Sequence, residues 1–180
     1  MVIFDLDGTL LDSDSALVEP FVLLGIPHDA ISFGHPIEAE CQRLGIELDA
    51  YIDAYDTTAA VPFPGVEDLL ATLPTWGLCS NKARPSATAE LTRLGWRPAV
   101  AMFADDFLGE AKRLGPVLER MRVAGSDVLF VGDSEHDEVC AEDVGASFAW
   151  AGWNPRTAAT DPSGVVLRTP ADVLVAAGVD

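Results

Sequence analysis

The amino-acid sequence predicts an α/β fold with a mostly parallel sheet and helices on both of its faces. The first observation is that short apolar, strand-like runs alternate with segments of helical periodicity over most of the chain. The second is that three apolar runs end directly in polar side chains, as is typical of the carboxyl edge of a parallel sheet. The strands are predicted at 2–6, 76–80, 99–103, 127–132 and 147–150, with a weaker candidate at 165–167. The helices are predicted at 66–73, 85–94, 111–122, 135–144 and 170–177.

The first predicted strand ends in two carboxylates. The apolar residues 2–4 are followed by the hexapeptide 5–10, in which Asp5 and Asp7 stand two positions apart. Because strand side chains alternate between faces, both carboxylates point the same way. Such a pair suits a hard divalent cation together with nucleophilic or acid–base chemistry. An acidic turn without a chemical role is the structural alternative.

The segment from about 14 to 62 breaks the strand–helix alternation and is predicted to be helical. Apolar residues at helical spacing form one face over 37–44 and a second over 48–55. Pro36 and Gly45 stand where the first of these helices should begin and end. We interpret 14–62 as a small helical cap inserted after the first strand, with a core domain made of 1–13 and 63–180. The alternative is that these helices extend the core.

Further polar residues follow the later strands. Ser80, Asn81 and Lys82 come at the end of the run 76–79, and a hydroxyl, an amide and an ammonium are phosphate-binding groups. Lys112 precedes an apolar-periodic helix.

A second strand end carries carboxylates. The run 128–131 leads into Gly132-Asp133-Ser134, and Asp137 follows one helical turn after Asp133. Asp137 is interpreted either as a metal ligand or as a residue that orients the ligands.

The charge balance limits the possible partners. The 180-residue chain has a net charge of −18, which argues against nucleic-acid binding and against anionic membrane surfaces. A phosphate ester therefore needs local positive charge, and the only two lysines, Lys82 and Lys112, both lie beside candidate motifs. Three cysteines without metal-type spacing predict reduced thiols in a cytoplasmic protein. No signal peptide or transmembrane run is recognised.

These motifs, in this order, resemble those of the haloacid dehalogenase superfamily of phosphotransferases. The match covers Asp5-Leu6-Asp7-Gly8-Thr9 as the first motif, Ser80 with Asn81 as the second, Lys112 as the third, and Gly132-Asp133-Ser134 with Asp137 as the fourth. The overall pattern looks most like phosphoglycolate-phosphatase-type members with a small helical, C1-type cap. The resemblance implies a three-layer, Rossmann-like core.

The resemblance also implies a role for each motif. Asp5 would be the nucleophile, and Asp7 would act as general acid and then as general base. Mg²⁺ would be held by Asp5, the Asp7 backbone carbonyl and Asp133, with Asp137 as a further ligand. Ser80 and the backbone around Asn81 would bind phosphoryl oxygens.

The third motif departs from the family pattern. Lys112 would neutralise the charge shared by nucleophile and phosphate, but family members often have proline after this lysine, and Arg113 stands here. The spacing from Lys112 to Asp133 is also short. Lys82 and Arg113 are therefore alternatives for this role.

The predicted function is a Mg²⁺-dependent phosphatase that acts on a small soluble phosphate monoester. The alternatives are a sugar phosphomutase of the same superfamily and a non-catalytic binding protein on this scaffold. A monomer is the default expectation, and a homodimer is possible.

Overall fold

A six-stranded, entirely parallel sheet forms the centre of the protein in the computed structural model, which describes residues 1–32 and 36–179. The strand order is β5-β4-β1-β6-β7-β8, so β1 lies between β4 and β6. The strands are β1 (Val2–Phe4), β4 (Trp76–Cys79), β5 (Val100–Met102), β6 (Leu129–Gly132), β7 (Ser147–Ala151) and β8 (Val166–Leu167). In register, Val2 pairs with Trp76 on one side and with Leu129 on the other. The predicted α/β fold is confirmed, and the weakest strand candidate forms the edge strand β8.

Both faces of the sheet are buried. Along β1, Val2 and Phe4 belong to one hydrophobic cluster while Ile3 belongs to the other. The first cluster includes residues of α4 (Val66–Thr72), α5 (Arg84–Leu94) and α9 (Asp172–Ala176). The second includes residues of α6 (Gly115–Met121) and α7 (Glu135–Glu142). The apolar runs therefore form strands because each is covered on two sides, which gives the predicted three-layer arrangement.

A small two-stranded antiparallel sheet brackets the helices of 14–54 in the chain. It pairs β2 (Leu11–Asp12) with β3 (Val61–Pro62), and it was not predicted, since two-residue strands leave no periodic pattern. Between its strands lie α1 (Asp14–Leu23), α2 (Ile37–Leu44) and α3 (Leu48–Ala54). The helix α2 begins after Pro36 and ends at Gly45, as predicted.

The three helices α1 to α3 pack on one another. The Phe21 and Tyr51 rings lie 4.6 Å apart, and the Tyr51 hydroxyl donates to the Leu17 carbonyl across the α1–α3 contact. We refer to residues 14–60 as the helical insertion. Among the described residues, no helix has the length and apolar character needed to cross a membrane.

Two predicted helices begin later in the chain than expected, and one helix was not predicted. The helix predicted at 111–122 begins only at Gly115, because the preceding backbone is bound to other elements and Pro116 supports a helix start at that point. The helix predicted at 170–177 spans 172–176. A short helix, α8 (Pro155–Ala159), follows β7 and was missed; Asn154 caps its first turn.

Candidate active site

The carboxyl end of β1 places Asp5 and Asp7 at the centre of the sheet edge. The Asp5 backbone N–H donates to the Val131 carbonyl, which extends the β1–β6 pairing by one residue. Gly8 then turns the chain with φ of +77°, a left-handed conformation that glycine adopts without strain. A Cβ at Gly8 would lie 2.2 Å from Asp133 Oδ2, so the turn also needs glycine for space.

Lys112 is the cation that contacts Asp5. Its Nζ lies 2.5 Å from Asp5 Oδ1 and 2.6 Å from Asp137 Oδ1, and its side chain is almost completely buried. Burial lowers the pKa of Lys112, but the two carboxylates outweigh this effect and raise it well above its ordinary value. The ammonium is therefore charged throughout the physiological range.

The two sequence alternatives to Lys112 lie elsewhere. The Arg113 side chain is exposed and pairs with Glu110 at 3.2 Å. Lys82 contacts Asp7 rather than Asp5, with Nζ 2.8 Å from Asp7 Oδ1. The geometry thus favours Lys112 for the third motif despite its unusual sequence context.

The loop that carries Lys112 is held by hydrogen bonds to its backbone. The Lys112 N–H donates to Asn81 Oδ1 at 2.7 Å, and its carbonyl accepts from Cys140 Sγ at 3.2 Å. His136 Nε2 lies 3.1 Å from the same carbonyl. Asn81, predicted as a phosphate-binding residue, thus uses its side chain to position Lys112, while the residue itself also lines the pocket.

We expect Asn81→Ala to lower kcat about fivefold while leaving KM for the phosphate ester within about twofold. Loss of a single hydrogen bond costs about 1 kcal/mol, which is enough to release Lys112 from its position for much of the time. Steady-state kinetics measures the effect, and Asn81→Asp, which keeps an acceptor oxygen, is the matched control. Equal kinetics for the alanine variant and the native protein would contradict this role.

Asp133 and Asp137 follow β6 at the same edge. Asp137 is fully buried, and its Oδ2 accepts hydrogen bonds from the Ser134 hydroxyl at 2.6 Å and from the backbone N–H groups of Ser134 and Asp133. The Ser134 hydroxyl in turn caps the first turn of α7 by accepting from the Asp137 N–H. Asp137 therefore orients both the turn at 133–134 and, through Oδ1, the Lys112 ammonium.

Burial and neighbouring carboxylates raise the pKa of Asp5 and of Asp133. Burial raises the pKa of Asp5 from 3.8 to about 7 against the opposing effect of Lys112, and the Asp137 charge adds to the rise. Burial, with Asp5 and Asp137 nearby, raises the pKa of Asp133 well above its ordinary value against the opposing effect of Arg156. The site thus concentrates negative charge that a cation would relieve.

A second buried network holds Asp7. Lys82 Nζ lies 2.8 Å from Asp7 Oδ1, 2.9 Å from Glu90 Oε1 and 2.7 Å from the Tyr55 hydroxyl. The Tyr55 hydroxyl donates to Glu90 at 2.6 Å, and Glu90 is completely buried on α5. Tyr55 directly follows α3, so one side chain of the helical insertion participates in positioning Asp7.

Sequence reasoning missed Arg156 and Asp14. Arg156, on α8, donates to Asp133 Oδ2 through Nη2 and to Asp14 Oδ2 through Nε at 2.8 Å. Two residues that precede α8 bind the turn after β1 through their side chains. Asn154 Nδ2 donates to the Gly8 carbonyl, and Trp153 Nε1 donates to the Thr9 carbonyl. The available signal was the Asn-Pro pair directly after a core strand, which is typical of a capped helix start at this sheet edge.

The predicted site residues come together around one pocket. Those that line it are Asp5, Asp7, Ser80, Asn81, Lys112 and Asp133. Asp137 lies behind Lys112 and contacts it directly. Side chains of the helical insertion form the opposite wall. A carboxylate beside a fixed ammonium, with further carboxylates in reach, can support attack on an electron-poor phosphorus or carbon centre and can bind a hard cation.

Comparison with known proteins identifies the family. Residues 2–151 match the model of the family described as haloacid dehalogenase-like hydrolase. A phosphoglycolate phosphatase from Xanthomonas campestris pv. campestris is 31% identical, covering 97% of this chain and 90% of that protein. An N-acetylmuramic acid 6-phosphate phosphatase from Pseudomonas aeruginosa is 27% identical over 82% of this chain and 79% of that protein.

Solved structures show the same fold. A hydrolase from Pseudomonas syringae superimposes with a TM-score of 0.75 at 22% identity, covering 97% of this chain and 95% of that one. A HAD phosphatase from Thermococcus onnurineus superimposes with a TM-score of 0.67 at 19% identity, covering 99% and 98%. The chain thus belongs to the haloacid dehalogenase-like hydrolase family and is a phosphoric monoester hydrolase that resembles its phosphoglycolate phosphatases.

Proposed function

We propose that this protein is a Mg²⁺-dependent phosphatase that hydrolyses a small soluble phosphate monoester through an aspartyl-phosphate intermediate. The observation that supports it most directly is Asp5 at the end of β1, with Oδ1 2.5 Å from the buried Lys112 ammonium. An ammonium in this place offsets the repulsion between a carboxylate nucleophile and an anionic phosphoryl group. The similarity to phosphatases over nearly the whole chain supports the same reaction.

Two half-reactions follow from this placement. An Asp5 oxygen bonds to phosphorus while the bond from phosphorus to the ester oxygen breaks, and Asp7 donates a proton to the leaving alkoxide. Asp7 then takes a proton from water, the water oxygen bonds to phosphorus, and the bond to Asp5 breaks to release inorganic phosphate. Lys82 holds the Asp7 carboxylate in place for both proton transfers. Ser80 and the Asn81 backbone would bind the phosphoryl oxygens.

The side chains at this edge fit a hard divalent cation. One oxygen from each of Asp5, Asp133 and Asp137 lies within 4.8 Å of the others, and all three residues are buried. Gly8 allows the Asp133 carboxylate to approach the backbone of the turn, since a Cβ there would lie 2.2 Å from Asp133 Oδ2. Oxygen ligands of this kind suit Mg²⁺, which when bound would neutralise charge on the phosphoryl oxygens.

We propose that Asp5, the Asp7 backbone carbonyl and Asp133 hold this ion. Asp137 was predicted as a further ligand, but both of its oxygens already have partners, Lys112 on Oδ1 and the turn at 133–134 on Oδ2. These contacts favour the alternative that Asp137 orients the other ligands.

Mg²⁺ affinity should rise with pH through about 7. Because burial raises the pKa of Asp5 to about 7, this carboxyl holds a proton below that pH, and the ion must displace it. For each proton that the ion displaces, we expect the apparent Kd for Mg²⁺ to increase about tenfold for each pH unit below 7. Titration calorimetry between pH 5.5 and 8.5, repeated in buffers of different ionisation enthalpy, counts the released protons. A Kd that does not change over this range would contradict the assignment of Asp5 as a ligand.

The sugar phosphomutase alternative receives less support. A phosphomutase must bind a second phosphoryl group on the substrate, and in the sequence Arg43 is the one lysine or arginine between residues 14 and 62. Arg43 instead donates to Glu40 at 2.6 Å and to the Ala30 carbonyl. It does not line the described pocket.

Our proposal also covers the domain organisation, the cellular location and the oligomeric state. We propose that 14–62 acts as a cap over a core made of 1–13 and 63–180, since side chains from both line the pocket. We propose a cytoplasmic location, which the three free and buried cysteines Cys41, Cys79 and Cys140 support. A monomer that binds a small phosphate ester and no nucleic acid is consistent with the net charge of −18.

The test is phosphate release from a panel of small phosphate monoesters, with and without Mg²⁺. We expect turnover that requires the metal and that EDTA removes reversibly. Substituting Ca²⁺ controls for simple charge screening, because it binds oxygen ligands with a larger and less regular geometry. Absence of release from every ester, with Mg²⁺ bound by the protein, would refute the phosphatase proposal.

A further inference from the structure

The two walls of the pocket differ in chemistry. The wall formed by the sheet edge carries the carboxylates, lysines and polar groups described above. The wall formed by the helical insertion is mainly apolar and aromatic: Leu17, Phe21, Ile31, Ile37, Tyr51 and Tyr55. The Tyr51 hydroxyl donates to the Leu17 carbonyl and the Tyr55 hydroxyl to Glu90, so both hydroxyl protons already have acceptors within the protein.

Each described cation of the pocket lies against carboxylates of the protein. Lys112 contacts Asp5 and Asp137, and Lys82 contacts Asp7 and Glu90. Arg156 contacts Asp14 and Asp133. A second anion on the substrate would therefore have to compete with a carboxylate for any of these charges.

The described lining residues include more carboxyl groups than cationic groups. Five lining residues are acidic and three are basic: Asp5, Asp7, Asp14, Glu40 and Asp133, against Lys82, Lys112 and Arg156. A bound divalent cation would balance this excess, and the phosphoryl dianion would restore it. Two of the acidic lining residues belong to the helical insertion: Asp14 contacts Arg156, and Glu40 is buried and receives Arg43 and Ser32 as donors. A further negative charge on the leaving group would thus enter a pocket whose described lining already carries an excess of carboxylates.

We propose that the site selects monoesters of uncharged alcohols with apolar surface next to the ester oxygen, and that it discriminates against leaving groups carrying a second anion. This inference rests on the proposed phosphatase function and refines it. It predicts that this protein hydrolyses phosphoglycolate poorly, although several relatives are named phosphoglycolate phosphatases. The reason is that glycolate carries a carboxylate two bonds from the ester oxygen. Ile31, Phe21 and Leu17 are the specificity-determining residues that it identifies.

Matched ester pairs test the proposal on the native protein with Mg²⁺. Phosphoglycolate is compared with phosphoglycolamide, which has nearly the same shape and no carboxylate, and 4-carboxyphenyl phosphate is compared with phenyl phosphate. We expect kcat/KM to be at least about tenfold higher for the uncharged member of each pair. We also expect an increase of about threefold to fourfold for each added methylene from methyl to propyl phosphate.

A substitution in the apolar wall tests the cause of the selectivity. Ile31→Lys should raise the ratio of kcat/KM for phosphoglycolate to that for phosphoglycolamide by about tenfold, because it adds a cation to that wall. Ile31→Gln, polar but uncharged, should leave the ratio unchanged. If Ile31→Lys does not fold, the ester pairs decide the question alone.

The outcomes are distinct. Equal or better turnover of phosphoglycolate than of its amide, by the native protein, would overturn the inference while leaving the phosphatase function in place. A ratio that Ile31→Lys leaves unchanged in a folded variant would overturn the role of this wall. Failure to hydrolyse any ester would overturn the phosphatase function and the inference with it.

Discussion

Asp5→Asn is expected to reduce phosphate release by about 10⁴-fold or more, because an amide does not form the covalent bond to phosphorus. The asparagine oxygen can still accept from Lys112, so the geometry of the site should persist. With the native protein, rapid acid quench should trap a phosphorylated aspartate at position 5, detectable by mass spectrometry as one added phosphoryl group. The variant should show no such adduct.

The fold should survive this substitution. Since folding raises the pKa of Asp5 from 3.8 to about 7, the ionised carboxylate costs stability as pH rises through this range, and the full cost is present above 7. The melting temperature of the metal-free variant at pH 8 should therefore equal or exceed that of the native protein. Asp53→Asn, on the exposed face of α3, is the control for a lost carboxylate. Multiple turnovers by purified Asp5→Asn would rule out Asp5 as the nucleophile.

Lys112→Met is expected to have the second largest effect on activity, after Asp5→Asn, and it should also lower stability. Removal of a charge aimed at the reacting group is expected to lower kcat about 10²-fold to 10³-fold. The variant also leaves Asp5 and Asp137 buried without their cation, which should lower the free energy of unfolding by about 3 kcal/mol. Because the folded state raises the pKa of Lys112, its stabilising contribution is fully present below the ordinary lysine pKa, and urea unfolding at pH 8 measures it in full.

Three matched variants separate the possible cations of the third motif. Arg113→Met removes an exposed neighbour and should change neither kcat nor stability by a measurable amount. Lys112→Arg keeps the charge, and we expect it to recover part of the stability but little of the activity, because a guanidinium is larger than the buried ammonium. If Lys82→Met abolishes phosphate release while Lys112→Met retains it, the assignment of Lys112 to the third motif would be wrong.

The ends of the core strands could be predicted from short stretches of sequence. The apolar runs before Asp5 and Asp133 predict buried parallel strands, and the glycine after Asp7 predicts the turn, because each feature depends on a few adjacent residues. The carboxyl ends of parallel strands meet at one edge, so the sequence also predicts that these carboxylates approach one another. The helical character of 14–62 and the boundaries of α2 follow in the same way from periodicity, Pro36 and Gly45.

The partners of those carboxylates could not be obtained from local patterns. Sequence reasoning left Lys112, Lys82 and Arg113 as alternatives. The tertiary structure decides among them, since the loop held by Asn81 directs Lys112 towards Asp5, whereas Lys82, which follows β4, lies against Asp7. Arg156 reaches Asp133 only because α8 starts at the same edge of the sheet.

The sequence by itself determined the α/β fold, the strand ends and the set of carboxylates, because these depend on periodicity and on residues that are neighbours in the chain. Only the tertiary structure decided which cation faces which carboxylate and what the helical insertion presents to the pocket. Ion pairs such as Lys112–Asp5 and Lys82–Glu90 join separate elements, and their geometry depends on how loops and helices pack across the sheet edge. The physical reason is that a side chain's contacts depend on the position of the whole backbone, whereas its preference for strand or helix depends mainly on its neighbours.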